Sequence, residues 1–530
     1  MPANDTLQSS IEKAIREKNI HIEISERDLG NLALPPPFLC IANTALDDVD
    51  DLVLMKLLSN QGHPFRIISR KQKAPREFAP LYLPVQLNLL QWEEYTKSIF
   101  KHLTTAKKKG WNVCILLNFA DNTVDAILRE QLLNQLMKVI LRAKLPIIPI
   151  RLKAPFRKFI RPALGSRLIQ RTRKEPYSVF VRAGNTISVE EQQRFQKPGK
   201  FRRFIQSKIY ALGSGLEVRR FYLRRLFKKP EHPEPVAPPV DPELIDAEIN
   251  SIKFESLVAS QGKFDIFVVR AKHIPHTLNE IGRLRELTFR NIGEGTGKSI
   301  DLDEYDLYYH QLLLWDREAK RIAGGYRMGL GNEIFNHYGA SGFYISSLFK
   351  IDEGFYETMR QSVELGRSYI VPEYQKKRMP LFLLWKGILF FLLKNPHYRF
   401  LYGPVSISKF YSHISRSLIV AFIKRYYFND ELAQYLTPKK PFKPKVDRVD
   451  IEMLAENLDP ELQALDSLIE DIEPQHIRIP VLVRQYLKLN ARFISFNLDP
   501  NFSDVLDGFI ILDLNDVPYS MIEALKKEGG

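Results

Sequence analysis

The chain has 530 residues, of which 45% are hydrophobic and 26% charged, and its formal net charge is +15. This length exceeds what one hydrophobic core supports, so two or more domains are expected, with the composition of an ordinary globular protein. The two cysteines, Cys40 and Cys114, lie in apolar contexts, which favours buried thiols in a reducing compartment over a disulfide framework or a metal site.

The first half alternates apolar strands with amphipathic helices. The predicted strands are "FLCIAN", "FRIIS", "NVCILLNF" and "PIIPIRL", and a helix is predicted across "VDAILREQLLNQLMKVILRAK". Such alternation is typical of an α/β layer with a partly parallel sheet. The N-terminal segment lacks the charged-then-apolar pattern of a secretory signal, so we expect a cytoplasmic protein.

Positive charge is concentrated between Arg151 and Lys229, where 22 Lys and Arg stand against 4 Asp and Glu. Such a region attracts polyanions such as lipid headgroups, nucleic acid or an acidic protein, although a solvated basic face is an equally ordinary explanation. Apolar residues within it recur near helical spacing, which suits either a bilayer interface or packing on the same domain. They are Phe201, Phe204, Ile205, Ile209, Leu212 and Leu216.

A domain boundary follows this region. Residues 230–242, "PEHPEPVAPPVDP", contain six prolines in thirteen positions, which predicts an extended, semi-rigid linker. We therefore predict a first domain over 1–229, a linker over 230–245 and a second domain over 246–530. The proline-bearing stretch "LTPKKPFKPKVDRVD" is expected to be a loop inside the second domain.

The second half predicts a mixed sheet. The strand "FDIFVVRA" is followed by the helix "HTLNEIGRLRELTFRN", the strands "HQLLLWD" and "IAGGYRMGL", a strand around Glu364, a long helix and the strand "FLYGPVSIS". The apolar stretch Leu381–Leu393 has about 13 residues and contains Lys386, whereas a membrane span needs ~20. Any membrane contact is therefore expected to be peripheral, on the inner face.

The segment from Ser362 onward joins a β-branched strand to a helix through a polar turn. Unpaired N–H groups at a helix start attract anions, and Lys376, Lys377 and Arg378 add positive charge there. The turn lacks glycine, so it matches neither a P-loop nor a dinucleotide-binding fingerprint.

Widely spaced motifs in this half occur in the order found in one known family. "LRELTFR" supplies Arg285 and Phe289, "DLDEYDLYYHQLL" supplies Asp303 and Asp306 with His310 after them, "GGYRM" supplies Arg327, and "ELGRS" supplies Glu364 and Arg367. Over residues 264–514 the chain resembles the Gcn5-related N-acyltransferase (GNAT) fold. It is most similar to the branch of ornithine-lipid and other amino-acid-lipid N-acyltransferases, and more distantly to acyl-homoserine-lactone synthases.

The resemblance implies transfer of a long acyl chain from the phosphopantetheine thioester of acyl carrier protein to the α-amine of an amino acid, with no bound cofactor or metal. Glu364, buried in an apolar strand, would have a raised pKa and accept the amine's proton. A backbone N–H of the splayed strand would stabilise the oxyanion. Arg327 and Arg367 would hold the substrate carboxylate or position acidic groups, and Lys376, Lys377 and Arg378 would meet the pantetheine phosphate.

Structural roles are the alternative for these residues. Glu364 and Arg367 are three positions apart, so a regular strand would point them to opposite faces. Arg285, Arg327 and Arg367 could form structural ion pairs with Asp303 or Asp306, and Phe289 could be a core residue. His310 is expected to be a satisfied histidine at a strand start more often than a base.

The first half resembles, with less specific motifs, the glycerol-phosphate and lysophospholipid acyltransferases. Thr44 stands where that family has its catalytic histidine, Val49 stands at the aspartate, and Asp47, Asp48 and Asp50 are out of register. Asn118, Phe119 and Ala120 replace its Pro-Glu-Gly. Because threonine cannot activate a hydroxyl at neutral pH, we predict that this domain is catalytically silent and holds acyl carrier protein or an anionic membrane surface.

The leading hypothesis is therefore an N-acyltransferase that makes the lyso form of an amino-acid lipid. An autoinducer-type synthase and a non-catalytic, membrane-associated scaffold are the alternatives. Nucleic acid is not an expected partner, because the basic region contains no recognised reader module. Ornithine, glycine, lysine and serine are all open as acceptors.

Overall fold

A computed structural model describes residues 4–45, 49–68, 76–83, 92–117, 126–153, 177–213, 233–376, 379–444, 449–473, 477–499, 505–520 and 523. The chain forms two compact units. The first comprises Met1–Glu217 with Lys445–Arg478, and the second comprises Val218–Pro444 with Ile479–Gly530. This confirms an α/β protein with two domains.

The strands form one large sheet in each unit. The six-stranded sheet of the first unit has the order β1-β6-β5-β2-β4-β3, and the eight-stranded sheet of the second has the order β15-β16-β13-β12-β10-β9-β8-β7. The bounds are β1 (Ile20–Glu23), β2 (Leu39–Asn43), β3 (Phe65–Ile68), β4 (Asn112–Leu117), β5 (Ile147–Lys153), β6 (Tyr177–Ala183), β7 (Leu257–Gln261), β8 (Phe264–Arg270), β9 (His310–Asp316), β10 (Arg321–Leu330), β11 (Phe349–Ile351), β12 (Ser362–Ile370), β13 (Phe400–Ile407), β14 (Leu436–Pro438), β15 (Arg492–Asp499) and β16 (Val505–Asp513).

Helices flank both sheets. Along the chain they are α1 (Asn4–Glu17), α2 (Glu26–Leu32), α3 (Asp50–Ser59), α4 (Trp92–Lys109), α5 (Ala126–Ala143), α6 (Val189–Gln193), α7 (Pro198–Ala211), α8 (Pro242–Ser256), α9 (Pro275–Asn291), α10 (Gly331–Tyr338), α11 (Ile345–Leu348), α12 (Tyr356–Arg360), α13 (Pro372–Gln375), α14 (Met379–Lys394), α15 (His413–Tyr426), α16 (Asp430–Ala433), α17 (Ile451–Glu456), α18 (Leu462–Ile472) and α19 (Val481–Lys488). Within the described residues, none of these helices is both long and apolar enough to cross a bilayer.

The predicted strands of the first unit are confirmed with small differences at their ends. β2 and β4 are apolar and buried on both faces, and they pair in parallel with Cys40 opposite Cys114. Runs without polar alternation are what a parallel sheet covered on both faces requires. Both cysteines are free thiols in this core.

The amphipathic helix α7 packs on its own unit. Phe201, Phe204, Ile205 and Ile209 are all at most 2% exposed, and the ring of Phe195 packs at a tilt against the first two rings. The packing explanation is therefore correct for this apolar face, which is already buried against protein. Leu216 and the basic stretch 214–229 lie outside the described residues.

The predicted domain division needs one correction. The segment Lys445–Arg478 belongs to the first unit, not to the second. Asp471 on α18 explains why, because its backbone carbonyl accepts from Arg182 Nη2 at 3.0 Å and its carboxylate accepts from the backbone N–H of Asn185 at 2.9 Å. Arg27 adds an ion pair with Glu470 at 3.0 Å.

The described part of the proline-rich stretch is extended and attached to the second unit. The backbone N–H groups of Glu234 and Ala237 donate to the carbonyls of Gly297 and Ser299, and that of Val240 donates to the Glu280 carboxylate. Helix α8 then begins at Pro242, inside the predicted linker, because Asp241 caps it and proline suits a first helical position.

Candidate active site

The central feature of the second sheet is an opening between β12 and β13. These parallel strands pair only from Ser362 to Glu364, opposite Phe400 to Tyr402. At the next position a Cβ on Gly403 would lie 2.0 Å from the carbonyl oxygen of Leu365, so only glycine fits where the strands begin to separate. Beyond this point the facing backbone groups of the two strands no longer pair with each other.

A small apolar groove adjoins the opening on one face of the sheet. Its lining residues are Leu365, Leu401, Tyr402, Gly403, Pro404, Val405, Tyr486, Ile510 and Leu512. Because side chains alternate along a strand, Leu401 and Val405 on β13 lie on one face with their β16 partners, whereas Tyr402 and Ser406 point to the other. We call that other face the charged face.

Glu364 lies on the charged face at the last paired position of β12. It is 1% exposed and accepts three hydrogen bonds, from the Tyr309 hydroxyl at 2.5 Å, the Tyr344 backbone N–H at 3.1 Å and the Ile345 backbone N–H at 2.8 Å. Burial raises the pKa of Glu364 to about 7, against the lowering effect of these donors. The neighbouring Tyr402 hydroxyl is buried without a hydrogen-bond partner within the described part of the chain.

Three arginines and three aspartates form a buried network beside Glu364. Arg285 Nε lies 3.0 Å from Asp301 and its Nη1 lies 2.8 Å from Asp306. Arg327 Nη1 lies 2.5 Å from Asp303. Burial opposes ionisation of Asp306, but Arg285 and Arg327 outweigh it and hold the pKa of Asp306 below its usual range. The formal charges of the six residues cancel, so the network contains no further arginine to balance a charge on Glu364.

Arg327 is enclosed by aromatic rings. Its Cζ lies 5.3–5.4 Å from the ring centroids of Tyr305, Tyr309 and Tyr344, within cation–π range. Burial disfavours its charge, yet Asp306 and Asp303 raise the pKa of Arg327 above its usual range. Its Nε and Nη2 are buried and have no hydrogen-bond partner among the described residues, so one edge of a permanently charged guanidinium is left unsatisfied.

Arg367 lies on the same face as Glu364, and the expectation of opposite faces is wrong. Arg367 Cζ lies 5.2 Å from the ring of Tyr344, whose backbone N–H donates to Glu364. The cause is a β-bulge, where Arg367 and Ser368 together oppose Tyr326 and Arg367 adopts a left-handed φ of 49°. The extra residue reverses the alternation and brings Arg367 within 3.1 Å of Asp301 and 3.2 Å of Asp303.

The structure also locates the remaining predicted site residues. Phe289 is half-buried on α9, and its carbonyl accepts from the backbone N–H of Glu294 at 2.9 Å. Lys376 is exposed after α13, whereas Lys377 and Arg378 lie outside the described residues. Arg270 Nε donates to His310 Nε2 at 3.2 Å, and burial lowers the pKa of His310 to about 4. His310 therefore accepts this hydrogen bond as a neutral imidazole.

Several residues of this site were not identified from sequence. Tyr309 and Asp301 lie within or beside "DLDEYDLYYHQ", where the density of acidic and tyrosine side chains before a strand is a signal. No sequence signal identifies Tyr344, because its backbone N–H reaches Glu364 only when the chain folds back over that residue at the start of α11.

In the first unit, the residues at the expected acyltransferase motif positions make structural contacts. The Thr44 backbone N–H donates to the Leu117 carbonyl, and the Asp50 carboxylate accepts from the Ala45 backbone N–H at 2.8 Å. Val49 lies immediately before α3. Asp47, Asp48, Asn118, Phe119 and Ala120 lie outside the described residues.

A mixed sheet whose two central parallel strands separate beside a buried carboxyl and an apolar groove defines a GNAT-type acyltransferase. Residues 284–385 match the model of the acetyltransferase (GNAT) domain family. The chain is 32% identical over 307 residues to a glycine N(alpha)-acyltransferase of Bacteroides thetaiotaomicron, covering 54% of this chain and 87% of that protein. It is 30% identical over 304 residues to a glycine N(alpha)-acyltransferase of Phocaeicola vulgatus, covering 54% of this chain and 90% of that protein.

These coverages span most of each relative, so the chain belongs to the N-acyltransferase family of these two proteins. It is an N-acyltransferase with the GNAT fold.

Proposed function

We propose that the protein transfers a long acyl chain from the phosphopantetheine thioester of acyl carrier protein to the α-amine of an amino acid, giving a lyso-aminolipid. The observation that carries this proposal is the opening between β12 and β13, with an apolar groove on one face and Glu364 on the other. Glycine is the first acceptor to test, ahead of ornithine, lysine and serine, because both relatives are named for it.

The donor would enter from the groove face. Leu365, Leu401 and Val405 offer an apolar surface for the acyl chain, and its thioester would lie in the opening near Gly403. Backbone N–H groups freed where the strands separate would stabilise the oxyanion of the tetrahedral intermediate. Lys376, Lys377 and Arg378, which come before α14 in the sequence, would contact the pantetheine phosphate.

The acceptor would approach from the charged face. The α-amine of an amino acid is protonated at neutral pH, so it must lose a proton before it attacks, and a carboxyl with a pKa of about 7 can accept that proton. Because Glu364 is enclosed, the Tyr309 hydroxyl that donates to it would relay the proton. The unsatisfied edge of Arg327, with Arg367 beside it, would bind the acceptor carboxylate, and Arg285, Asp303 and Asp306 would position both arginines.

The first unit would serve as a docking module. We propose that it has no acyltransferase activity of its own and binds acyl carrier protein or the anionic inner face of the membrane through its basic residues. The protein would then work as a peripheral enzyme at the surface that receives its product.

Lipid mass spectrometry tests the function directly. The full chain is expressed in a bacterial host that makes no aminolipids, and extracts are compared with those of cells expressing Glu364→Gln. We expect an N-acyl amino acid only with the original chain. Unchanged lipids in both strains, with folded protein on the membrane, would support a scaffold instead, and a released acyl-homoserine lactone would support the autoinducer-type synthase.

A further inference from the structure

The loop between α9 and β9 carries the aspartates of the buried network, and its first part packs back along α9. The backbone N–H of Asp301 donates to the Gly282 carbonyl of that helix at 2.9 Å. The approach is close, because a Cβ on Gly282 would lie 2.6 Å from Leu302 Cγ. The position of Asp301 therefore depends on how residues 293–302 are held against α9.

Glu286 of α9 holds the middle of this loop. It is 0% exposed, and its carboxylate accepts five hydrogen bonds. Its Oε1 accepts from Arg290 Nε at 3.0 Å, Arg290 Nη2 at 2.8 Å and the Gly297 N–H at 3.0 Å. Its Oε2 accepts from the Thr296 N–H at 3.0 Å and the Thr296 hydroxyl at 2.7 Å. Because every partner is a donor, the position suits an ionised carboxylate, which only accepts.

The loop continues directly from Glu286's partners into the arginine–aspartate network. Arg285, the residue before Glu286, binds Asp301 at 3.0 Å. Asp301 also lies 3.1 Å from Arg367, and Asp303 lies 3.2 Å from the same guanidinium. Two adjacent residues of α9 thus hold the two successive parts of one loop. A shift in the part bound to Glu286 would move the aspartates that follow it.

The proline-rich stretch holds the same part of the loop a second time. The Ser299 N–H donates to the Glu234 carboxylate at 2.9 Å, and the Glu234 N–H donates to the Gly297 carbonyl at 2.8 Å. Arg290, which binds Glu286, also donates to the Glu234 carbonyl at 2.8 Å. Residues 296–299 are therefore fixed by two segments that are far apart in the sequence.

We infer that Glu286 is a positioning residue for the acceptor amino acid. By holding residues 296 and 297 it sets where Asp301 and Asp303 lie, and these aspartates orient the arginines that would bind the acceptor carboxylate. Glu364 and the apolar groove lie on other elements, so Glu286 should affect acceptor binding more than the chemical step or the acyl donor. This inference rests on the proposed function and deepens it, because it names a residue that determines affinity for the acceptor.

Steady-state kinetics of the full chain with acyl-acyl carrier protein and glycine test this role. In Glu286→Gln an NH2 group replaces one carboxylate oxygen and meets at least two donors, so the loop loses its fixed position. We expect the KM for glycine to rise about 10- to 50-fold, while kcat and the KM for the acyl donor change less than about threefold. Glu255→Gln, exposed near the end of α8, is the control.

Thr296→Val tests the same contact from the loop. It removes the hydroxyl that donates to Glu286 and keeps the backbone N–H, so we expect the KM for glycine to rise about fivefold. A variant that is only less stable behaves differently, because a smaller folded fraction lowers the apparent kcat and leaves KM unchanged. Thermal unfolding of both variants, with assays run well below each Tm, keeps the two effects apart.

A KM for glycine that stays within twofold in Glu286→Gln, or a loss confined to kcat, overturns the inference and leaves the N-acyltransferase function intact. If Glu286→Gln does not fold, Thr296→Val decides by the same criterion. If the original chain acylates no amino acid, calorimetric titration with glycine replaces the kinetics. A Kd raised in the variants then supports the positioning role without the proposed reaction, an equal Kd overturns that role, and absent binding overturns both.

Discussion

Each unit contains a pair of parallel strands at the centre of its sheet, but only one pair opens. In the first unit β2 and β4 pair over their full length, from Leu39 opposite Val113 to Asn43 opposite Leu117. In the second unit the pairing of β12 with β13 ends after Glu364 opposite Tyr402. A closed pair satisfies its own backbone groups, whereas an open pair leaves groups that can bind a substrate.

The polar residues at the ends of the two pairs, Asn43 and Glu364, also differ in what their side chains bind. Asn43 ends β2, and its side chain donates to the Leu152 carbonyl of β5 at 2.9 Å, accepts from the Leu152 N–H at 2.8 Å and also donates to the Thr44 carbonyl at 3.2 Å. Glu364 stands at the last pair of β12, and its carboxyl is held by a tyrosine hydroxyl and two loop N–H groups that could be exchanged for a substrate. A polar residue at a strand end is therefore a candidate for a functional site where the neighbouring strand separates from it, as β13 does from β12.

The largest effect is expected from removing the titratable group at the open pair. Glu364→Gln should lower kcat/KM by about 10²- to 10⁴-fold, because general-base assistance is lost. In the original chain kcat/KM should rise with pH up to about 7 and then level off, following the pKa of Glu364, and this dependence should vanish in the variant. Exposed Glu373→Gln is the control. An identical pH profile in the glutamine variant would exclude Glu364 as the base.

The same carboxyl should make folding depend on pH. Its pKa rises from 4.5 to about 7 on folding, so between these values the folded protein keeps a proton that the unfolded chain has released. The free energy of unfolding should therefore fall as pH rises through this window, by about 3 kcal/mol in total. Urea unfolding should be measured at pH 5 and pH 8 for both proteins. The free energy of unfolding of Glu364→Gln relative to that of the original chain should be higher at pH 8 than at pH 5, by most of this amount. A constant difference between the two proteins would contradict the burial of an acid at this position.

A third experiment acts on the opening itself. Gly403→Ala places a methyl group 2.0 Å from the Leu365 carbonyl oxygen, which belongs to backbone and cannot rotate away. We expect a loss of about 3 kcal/mol in the free energy of unfolding and a fall in activity, since overpacking at this point distorts the separation of β12 and β13. Gly366→Ala is the matched control, because a Cβ there meets nothing within 4 Å. If Gly403→Ala were as stable and as active as the original chain, the opening would tolerate a methyl group and the close approach to Leu365 would not matter.

The smallest effect tests the closed pair. Asn43→Ala removes both hydrogen bonds to Leu152 and should destabilise the first unit by about 1–3 kcal/mol. Activity per folded molecule should not change, because Asn43 serves only the sheet. Thermal unfolding measured alongside acyl transfer checks this, with exposed Asn60→Ala as control. A loss of activity without loss of stability would give this strand end a functional role.

Local patterns in the sequence predict most of this fold. The apolar runs that form β2, β4, β9 and β13 are confirmed to within one or two residues, because each is a short buried segment bounded by turn residues. The residues Arg285, Asp303, Asp306, Arg327 and Glu364 were expected near one another, and they do form one connected cluster.

The parts that could not be predicted depend on single backbone irregularities or on distant chain segments. The orientation of Arg367 depends on one bulge residue with a left-handed φ, which no period-two pattern reveals. The return of Lys445–Arg478 to the first unit likewise has no local signal, since its partners Arg27 and Arg182 lie far away in sequence.

That returning segment affects how the protein is made. A ribosome releases the first 217 residues long before it reaches Asp471, so the nascent first unit lacks α17 and α18 until most of the polypeptide has emerged. During that interval Arg182 and Asn185 have no partner on the segment, and the surface that will receive it stays exposed to solvent. If the two halves are expressed as separate polypeptides, cut at the proline-rich stretch, the first lacks α17 and α18, and the second carries both helices without the unit on which they pack.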